Sequence, residues 1–554
     1  MDSNTRPPGY AGRWVARLRG RIIAQGGTPE TALRAARSSR YKESPEIAYV
    51  PLELPLPPLV ERVRLALPDQ ELYLVGGAVR DAFLGRSAPD LDFAVPANGI
   101  GVARRAADAL GGDYLTLDHE RDTGRVIVSD GGKRIYLDFA GYRSFPGGTA
   151  YSLEADLRGR DFTINAIAYD LRSGALLDPL EGGADLRAKR IRMCGPTSMS
   201  DDPIRVLRGV RLAALLGFQI DPGTRAAMKD AAPRLAGASP ERLRDELFRI
   251  LEGPRPDACL RALEMLGALE HFLPELTLLK GVEQPDPHVH DAWNHTLAVV
   301  QSMQEILAAL QSDYDPERTG DFFTGLLSLR LGRYRERFEA HLARALNADR
   351  SLRGLLLFIS LYHDVSKPQT KSVEPGGRIR FFGHDEQGAE TAAGRAAALH
   401  LSNAEIDRVR TVIANHMRFH FHTSRMEGEG REPSRRAIYR LFRDAGEAGV
   451  ELVLLGLADL RGTRGTALTQ ETWTAALNVA RLLLENYWEK PEESVSPPRL
   501  VDGHELMRVL GMEPGPRLGQ LLEAIREAQA TGKVSSREQA LEYARSWIAG
   551  SQAG

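Results

Sequence analysis

The stretch YLVGGAVRDAFLGRSAPDLDFAVP, at residues 73–96, constrains the fold more than any other part of the chain. An apolar run ends at two glycines, a short helical segment follows, and the aspartates of DLD then alternate with apolar residues. The period of two predicts a strand with Asp90 and Asp92 on one face and Leu91 and Phe93 on the other. Two neighbouring carboxylates repel each other unless cations lie between them. The stretch therefore predicts a strand–turn–helix–strand unit with an acidic face.

The same alternation recurs in RIYLDFAGY, where Asp138 alternates with Leu137 and Phe139. If this strand lies beside the first, three carboxylates share one sheet face, as a site for two Mg²⁺ ions about 3.5–4 Å apart requires. A lone D-x-D more often marks a solvated strand edge. Gly76 and Gly77 favour the metal interpretation, because a glycine turn lets backbone N–H groups approach a polyphosphate.

The length and composition predict several globular domains. The chain has 554 residues, of which 43% are hydrophobic and 26% charged. No apolar run approaches the ~20 residues needed to span a bilayer. The arginine-rich first forty residues lack the apolar segment of a secretory signal and leave three alternatives: an organelle transit peptide, a basic arm that contacts RNA, or disorder. The isolated Cys194 and Cys259 predict no disulfide framework and fit a reducing cytoplasm.

G-G-x-V-R-D followed by D-x-D resembles the signature of polymerase-beta-like nucleotidyltransferases, specifically the class II tRNA nucleotidyltransferase and bacterial poly(A) polymerase group. The resemblance implies that Asp90 and Asp92 bind two catalytic Mg²⁺ ions and that Asp138 helps to activate the primer hydroxyl. GRDFTINAIAYD, SDDPIRVLRGVRLAALLGF (with Asp201 in place of the family's Glu) and SPERLRDELFRIL resemble further segments of the family. Together these motifs imply a set of nucleotide-binding residues: Gly76, Gly77, Arg80, Arg160, Asp161, Asn165, Asp202, Arg205 and Arg208.

Asp202 and Arg205 lie three positions apart on a predicted helix, and therefore on one face. Arginine only donates hydrogen bonds and aspartate only accepts them, so the pair matches the edges of cytosine and adenine but not those of uracil and guanine. A missing or reversed hydrogen bond in such a site gives strong rejection. The alternative is a surface ion pair worth ~0.3 kcal/mol. The surrounding motif favours base recognition by Arg205, with Arg208 and Arg211 left as phosphate contacts or intramolecular pairs.

Only 13 residues, FAGYRSFPGGTAY at 139–151, separate Asp138 from SLEADLRGRDF. The resemblance implies a longer flexible loop here in enzymes that build the whole CCA end. We therefore predict an enzyme that adds CMP from CTP to the tRNA 3′ end and stops at CC. The alternatives are a complete CCA-adding enzyme with a shortened loop, which would also use ATP, an A-adding enzyme, and a poly(A) polymerase.

The second half of the chain holds most of the 13 histidines. HVHDAWNHTLAVV, LYHDVSKP, FFGHDEQGAE, ANHMRFH and LADLRG resemble an HD phosphohydrolase domain. Mixed imidazole and carboxylate ligands suit a divalent transition metal or Mg²⁺. The implied activity is hydrolysis of phosphomonoester or 2′,3′-cyclic phosphate RNA ends, while His288, His290, His420 and His422 match no ligand position. The resemblance implies these metal ligands: His295, His363, Asp364, His384, His416 and Asp459.

The predicted architecture is an α/β polymerase-beta-like nucleotidyltransferase head followed by all-helical neck, HD and tail domains. We predict a cytoplasmic enzyme that acts on the tRNA 3′ end without a membrane partner, and leave its oligomeric state open. The rival interpretations are an HD phosphohydrolase whose head only binds a nucleotide, and a non-catalytic RNA-binding protein. The predicted segments are an N-terminal extension 1–60, the head 61–195, a neck for nucleotide and RNA binding 196–280, the HD domain 285–470, a linker 485–499 and a tRNA-binding tail 500–554.

Overall fold

The first unit of the structure is mixed α/β and the second is almost entirely helical, which confirms the predicted fold class. These compact units comprise Met1–Gly237 and Ala238–Gly554. No helix among the described residues is long and apolar enough to cross a membrane. The structure is a computed structural model that describes residues 9–38, 43–87, 90–131, 133–142, 151–315, 321–347 and 350–550.

A seven-stranded mixed sheet forms the centre of the first unit. Neighbouring strands are antiparallel except for one central parallel pair, Asp90–Val95 beside Lys133–Gly141. On the apolar face of that pair the rings of Phe93 and Phe139 stack with centroids 4.9 Å apart, which fixes the register of the two strands through their buried side. In spatial order the strands are Leu176–Leu177, Ala168–Asp170, Tyr73–Val75, Asp90–Val95, Lys133–Gly141, Thr123–Asp130 and Asp113–Asp118.

Helices cover this sheet and continue beyond it. Helix Gly99–Leu110 packs on three of the strands, and its Val102, Ala103 and Ala106 are buried. After the sheet, the short strands Arg190–Ile191 and Gln219–Ile220 pair with each other in parallel. The remaining helices of this unit outside the N-terminal region are Pro58–Ala66, Gly77–Phe83, Leu153–Arg158, Gly182–Arg187, Ser198–Asp201, Arg205–Leu216 and Pro222–Ala231.

The N-terminal region forms a small folded module. Its three antiparallel strands are Arg13–Leu18, Arg21–Gly26 and Glu46–Val50, and helix Pro29–Ser38 packs against them. The hairpin turn at Arg19-Gly20 has positive φ at both residues, 50° and 79°, as a type I′ turn requires. The alternative that this region is disordered was therefore wrong for residues 9–38.

Three long helices form the apolar centre of the second unit: Ala292–Ala309, Leu352–Tyr362 and Gly449–Arg464. Their sequences are apolar on nearly every side, because each helix is buried among the others. Four short strands are also present, Ala345–Asn347, Arg350–Ser351, Lys371–Val373 and Ile379–Phe381. The other helices before residue 490 are Pro240–Leu251, Pro256–Met265, Leu269–Phe272, Pro274–Thr277, Phe322–Leu331, Arg335–Leu342, Lys367–Thr370, His384–Ala398, Asn403–Asn415, Met417–Glu429, Arg435–Ala445 and Gln470–Glu489.

The predicted linker at 485–499 differs from what the structure shows. Helix Gln470–Glu489 continues through its first five residues, and Pro491–Ser494 forms a further helical turn. The acidic side chains are used in ion pairs, such as Glu485 with Lys490 at 2.7 Å, so the prediction of a linker was wrong for 485–494. Beyond it lie the three helices of the tail, which was predicted to be helical: Gly503–Leu510, Pro516–Ala530 and Arg537–Gly550.

Candidate active sites

The acidic strand, Asp90–Val95, carries the predicted carboxylate face. Its register with Lys133–Gly141 makes Asp92 and Asp138 direct partners on adjacent parallel strands. Asp90 lies two residues before Asp92 and therefore on the same face of the sheet. The predicted alignment of three carboxylates on one face is thus confirmed, while their catalytic roles remain predictions.

The glycine turn lies directly against this face. Gly76 has φ +75°, and a Cβ atom there would lie 3.0 Å from Oδ2 of Asp92 and 3.4 Å from Nη1 of Arg160. A larger residue would therefore be strained in its backbone and would collide with the carboxylate. Helix Gly77–Phe83 begins at the next residue. The close approach explains why this turn needs glycine beside the acidic strand.

Arg125 is a site residue that the sequence analysis missed. It lies opposite Asp138 on the neighbouring antiparallel strand. Its Nε and Nη2 donate to Oδ1 and Oδ2 of Asp138 at 2.7 and 2.8 Å, a bidentate pair that fixes the carboxylate plane. The hydrogen bonds to Asp138, together with the charges of Asp138 and Asp90, raise the pKa of Arg125. Only the cross-strand register reveals this contact, and the sequence around GRVIV carries no signal of it.

A buried hydrogen-bond network joins four of the predicted nucleotide-binding residues. Nη1 of Arg80 donates to Asn165 at 2.8 Å, and Asn165 donates in turn to Oδ1 of Asp161 at 3.0 Å. Arg208 donates to the other oxygen of Asp161 at 3.2 Å. Burial alone would raise the pKa of Asp161, but the charge of Arg208 and the Asn165 hydrogen bond hold it below its usual value. Arg80 also pairs with Asp81 through two hydrogen bonds of 2.9 Å.

Arg160 links this network to the acidic strand. Its Nε and Nη2 donate to Oδ2 of Asp156, four residues earlier, at 3.1 and 3.0 Å. Burial would lower the pKa of Arg160, but Asp156 and Asp92 together raise it. Arg160 is therefore a permanent cation beside Asp92, and Asp156 is a second residue that the sequence analysis did not single out.

The helix predicted to carry both Asp202 and Arg205 is interrupted between them. Helix Ser198–Asp201 ends before Asp202, whose backbone is extended at φ −146° and ψ 95°. Pro203 causes this break, because a proline disfavours helical geometry in the residue that precedes it. A new helix begins at Arg205. The prediction that the two residues share one helical face was therefore wrong, although Nε of Arg205 still lies 3.9 Å from Oδ2 of Asp202.

The Arg205 guanidinium is buried and donates to three main-chain carbonyls. Nη1 donates to the carbonyls of Arg160 and Ser198 at 3.1 and 3.2 Å, and Nη2 donates to the carbonyl of Gly159 at 2.8 Å. A guanidinium has five N–H groups, so two are not used in these three contacts. Recognition of a base by Asp202 and Arg205 stays a prediction. The structure shows in addition that Arg205 connects the segment of Gly159 and Arg160 with that of Ser198.

The second candidate site brings together all six histidine and aspartate positions predicted as metal ligands. The groups are His295 with His363 and Asp459, and Asp364 with His384 and His416. Within each group the donor atoms all lie within 4.8 Å of one another, and every residue is buried. The three central helices of the second unit position this cluster, since each carries or directly precedes one of its members.

Main-chain carbonyls set the orientation of three imidazoles in this cluster. The Nδ1 atoms of His363, His384 and His416 lie 2.9, 2.7 and 2.7 Å from the carbonyls of the residues three positions earlier. A carbonyl can only accept, so each Nδ1 carries the proton and each Nε2 presents a lone pair. Nε2 of His384 faces Nε2 of His416 at 3.3 Å, and the same distance separates those of His295 and His363. Such facing nitrogens fit a bound cation.

Asp364 lies between the two groups. Its Oδ2 is 3.2 Å from Nε2 of both His295 and His363, while its Oδ1 is 3.5 Å from Nε2 of His384. Lys367 approaches Oδ2 at 2.6 Å. Burial would raise the pKa of Asp364, but its contacts with the His363 imidazole and the Lys367 ammonium hold it well below its usual value. A buried, ionised carboxylate between two sets of imidazoles is the arrangement expected of a bridging metal ligand.

A cavity of about 430 Å³ opens onto the cluster. His288 and His420, which matched no predicted ligand position, line it together with Phe382 and Arg464. Nε2 of His420 lies 2.6 Å from Oδ2 of Asp459, so His420 orients a predicted ligand. Its spacing of four from His416 on one helical stretch was the sequence signal that could have shown this.

The chain matches four protein families along its length. Residues 72–192 match the poly(A) polymerase head domain, and residues 217–279 match a probable RNA and SrmB-binding site of polymerase A. Residues 496–544 match a putative tRNA nucleotidyltransferase domain 2. Residues 9–53, the N-terminal module, match a family of unknown function.

Two relatives resemble nearly the whole chain. It is 33% identical over 491 residues to the CC-adding tRNA nucleotidyltransferase of Thermus thermophilus, covering 87% of this chain and 95% of the relative. It is 32% identical over 481 residues to the A-adding tRNA nucleotidyltransferase of Deinococcus radiodurans, covering 86% of this chain and 95% of the relative.

Solved structures share the fold. The complex of a CCA-adding enzyme with ATP superposes with a TM-score of 0.54 at 22% identity, covering 88% of this chain and 95% of the other. The likeness places the mixed-sheet head and the helical region in a known architecture.

Proposed function

Because the chain belongs to the tRNA nucleotidyltransferase family, we propose that it transfers CMP from CTP to the 3′ end of tRNA and stops after the second cytidine. The observation that carries the proposal is the alignment of Asp92 with Asp138 on neighbouring strands beside the Gly76 turn. That constellation lies within the residues matched to the poly(A) polymerase head.

The carboxylate face fits a divalent cation that prefers oxygen ligands. Asp90 is exposed and Asp92 half-buried, and their sheet face also carries Asp138, so the donors are all carboxylate oxygens, as Mg²⁺ requires. Asp90 and Asp92 would hold two Mg²⁺ ions, which when bound supply electrostatic stabilisation of the charge that develops on the transferring phosphate. The family is metal-dependent, and the identity and number of the ions are part of the proposal.

The chain's own residues orient the reactants. In the proposed reaction the terminal 3′-hydroxyl oxygen forms a bond to the α-phosphorus of CTP, the bond to the β-phosphate oxygen breaks, and pyrophosphate leaves. Asp138 accepts the hydroxyl proton, since each carboxylate oxygen keeps a second lone pair beyond its hydrogen bond to Arg125. Arg160 and Arg208 place positive charge beside the acidic strand and Asp161, where the triphosphate would bind.

Cytidine addition is favoured over the alternatives by two observations. The Thermus relative, similar over 87% of this chain, is named CC-adding. The segment 139–151 is short, although residues 143–150 lie outside the described part of the chain. The Deinococcus relative, named A-adding at 32% identity, keeps adenosine addition as the main alternative.

Incorporation into three tRNA transcripts tests the proposal. The transcripts end before CC, after the first C and after CC, and each is incubated with CTP or ATP alone and with both. The expected result is two additions, one addition and none, all from CTP. Addition of CC followed by AMP would replace CC addition with complete CCA synthesis, and addition of AMP to the CC transcript without any addition from CTP would instead indicate an A-adding enzyme. The absence of any addition would contradict the proposed function.

The histidine–aspartate cluster supports a second activity, metal-dependent hydrolysis of phosphomonoester or 2′,3′-cyclic phosphate RNA ends. The six residues that fit metal ligands, the fixed tautomers and the adjoining cavity carry this proposal. When bound, the metal would activate a water molecule for attack on phosphorus. Release of phosphate from a tRNA transcript with a 3′-phosphate end tests it, and a metal-loaded protein without release would contradict it.

The two cysteines add one point about location. Cys194 and Cys259 are both free thiols, which is consistent with the predicted reducing cytoplasm. A cytoplasmic location therefore stays part of the proposal.

A further inference from the structure

The N-terminal module has a charge unlike that of the rest of the chain. Residues 9–38 contain six arginines and one acidic residue, Glu30, and residues 43–53 add Glu43, Glu46 and Glu53, so the module remains basic whereas the whole chain has a net charge of −2. The arginines are Arg13, Arg17, Arg19, Arg21, Arg34 and Arg37.

Three of these arginines lie at the tip of the hairpin. Arg17 and Arg21 lie on either side of the type I′ turn and are exposed, on opposite faces of the hairpin because their cross-strand partners are Ile22 and Leu18. Arg19 lies within the turn with its side chain 79% exposed. Arg19 pairs with Glu43 at the surface; such exposed pairs contribute only about 0–1 kcal/mol. The hairpin therefore concentrates three guanidinium groups within five residues.

Helix Pro29–Ser38 adds Arg34 and Arg37, which lie three positions apart on one face and are exposed. Within the described parts of the chain, four of the module's arginines form no ion pair or hydrogen bond through their side chains. These four are Arg17, Arg21, Arg34 and Arg37. Their charges are thus available to an external partner.

The module is fastened to the head. Arg13 donates to both carboxylate oxygens of Glu181 at 2.6 and 2.9 Å, and Trp14 Nε1 donates to the carbonyl of Leu176 at 2.9 Å. Both acceptors belong to the segment at the sheet's outer edge. The arginine surface is therefore held in a fixed position relative to the head.

A close backbone contact reinforces this attachment. The amide of Asp178 donates to the carbonyl of Gly27 at 2.8 Å, and a Cβ atom at Gly27 would lie 1.8 Å from the carbonyl oxygen of Asp178. Further along the same segment, Asp185 accepts a hydrogen bond from Thr163 at 2.7 Å. Thr163 is close in sequence to Asp161 of the nucleotide network. The contacts join the module to the part of the head that carries this network.

We propose that the exposed arginines of the N-terminal module bind the phosphate backbone of the tRNA whose 3′ end the head extends. The inference rests on the proposed function, because it takes tRNA as the polyanion in reach. Guanidinium groups pair bidentately with phosphate oxygens, and phosphate contacts position a nucleic acid without reading its sequence. Because the module is fastened to the head, binding orders the arginine side chains but not the segment that carries them.

An RNA partner fits this surface better than a protein partner. A stable protein interface has an apolar core enriched in aromatic residues. Among the described residues of the module, Tyr10 is the only large hydrophobic side chain that is exposed, at 38%. The surface is therefore charged without being apolar, as nucleic-acid-binding surfaces are.

Salt dependence of tRNA binding by the full chain tests the proposal. The test variant is Arg17→Gln with Arg21→Gln, and the matched control is Arg134→Gln with Arg172→Gln, two exposed arginines of the head outside the module. Affinity for a tRNA transcript ending in CC is measured without nucleotide between 50 and 200 mM salt. Each lost phosphate contact reduces the magnitude of the slope of log affinity against log salt by about 0.7–0.9. The magnitude should therefore fall by about 1.5 in the test variant and stay unchanged in the control.

The second readout separates this proposal from the proposed function. The hairpin variant should raise KM for tRNA and leave kcat for CMP incorporation and the affinity for CTP at wild-type values. A wild-type slope in the hairpin variant would overturn the inference, as would an equal loss in the control. Unchanged tRNA binding together with a changed molecular mass of the RNA-free protein would assign the surface to a protein contact and also overturn it. Failure of the wild-type protein to incorporate CMP would instead refute the proposed function.

Discussion

Arg125 and Asp138 form an ion pair that fixes the orientation of one carboxylate on the acidic face. The guanidinium holds both oxygens of the carboxylate at 2.7 and 2.8 Å, and the pair is one-fifth to one-third exposed. It occupies the side of Asp138 that faces the neighbouring strand. Arg125 thereby fixes the direction of the remaining lone pairs of the carboxylate, and we regard it as a positioning residue.

Replacement of this arginine should reduce turnover more than substrate binding. For Arg125→Ala we expect kcat for CMP incorporation to fall about 10- to 100-fold, because a misplaced reactive group costs that much, with KM for CTP changed less than threefold. Arg125→Lys should recover part of the loss by keeping one hydrogen bond. Steady-state incorporation measures both constants.

The control for this variant is Arg134→Ala, an exposed arginine near the start of the strand that carries Asp138. It should leave kcat unchanged. A wild-type kcat in Arg125→Ala would show that Asp138 needs no partner to act.

At the scale of elements, sequence patterns were informative where periodicity and glycine dictate structure. The acidic strand and its glycine turn were predictable, since the alternation of Asp90 and Asp92 fixes a face. The interruption before Arg205 was missed, although Pro203 signals it. Arg125 was out of reach, because a cross-strand partner depends on a register that no local pattern specifies.

The contacts of Arg205 predict a structural role that can be measured separately from base recognition. Arg205→Ala removes three hydrogen bonds from a buried charged donor, so we expect the local unfolding free energy to fall by about 2–4 kcal/mol. Hydrogen exchange of residues 198–216 reports this opening. Arg225→Ala, an exposed arginine on the following helix, should change it by less than about 0.5 kcal/mol.

A variant with wild-type exchange but lost preference for CTP over UTP would mean that Arg205 acts on the base alone. Faster exchange together with lost preference for CTP would assign it both roles. Faster exchange with an intact preference for CTP would refute base recognition by this residue.

At the scale of the whole molecule, two candidate sites occupy two separate compact units. The acidic face belongs to the first unit and the histidine–aspartate cluster to the second. The six cluster residues were predictable in identity through family resemblance, but the tautomer shared by His363, His384 and His416 and the contact from His420 required the three-dimensional arrangement. The folded N-terminal module was not predictable, because its arginine content resembles that of a disordered arm.

Substitution of a predicted metal ligand in the second unit should lower the metal content of the protein. Asp364→Asn removes the carboxylate between the two ligand groups, so we expect elemental analysis of the purified protein to show a loss of at least half of its bound transition metal. Asp407→Asn, an exposed aspartate of the same unit, should keep the wild-type content. Equal metal content in Asp364→Asn and the wild type would contradict the assignment of the cluster as a metal site.

Primer extension with three proteins side by side tests the central claim most directly. Wild type, Asp92→Asn and Asp364→Asn are each given a tRNA transcript that ends before CC, with CTP and Mg²⁺. The account predicts two added cytidines by the wild type and by Asp364→Asn, and a decrease of at least about 100-fold in Asp92→Asn, because several kcal/mol of transition-state stabilisation are lost with the metal ligand. Extension at the wild-type rate by Asp92→Asn would contradict the account.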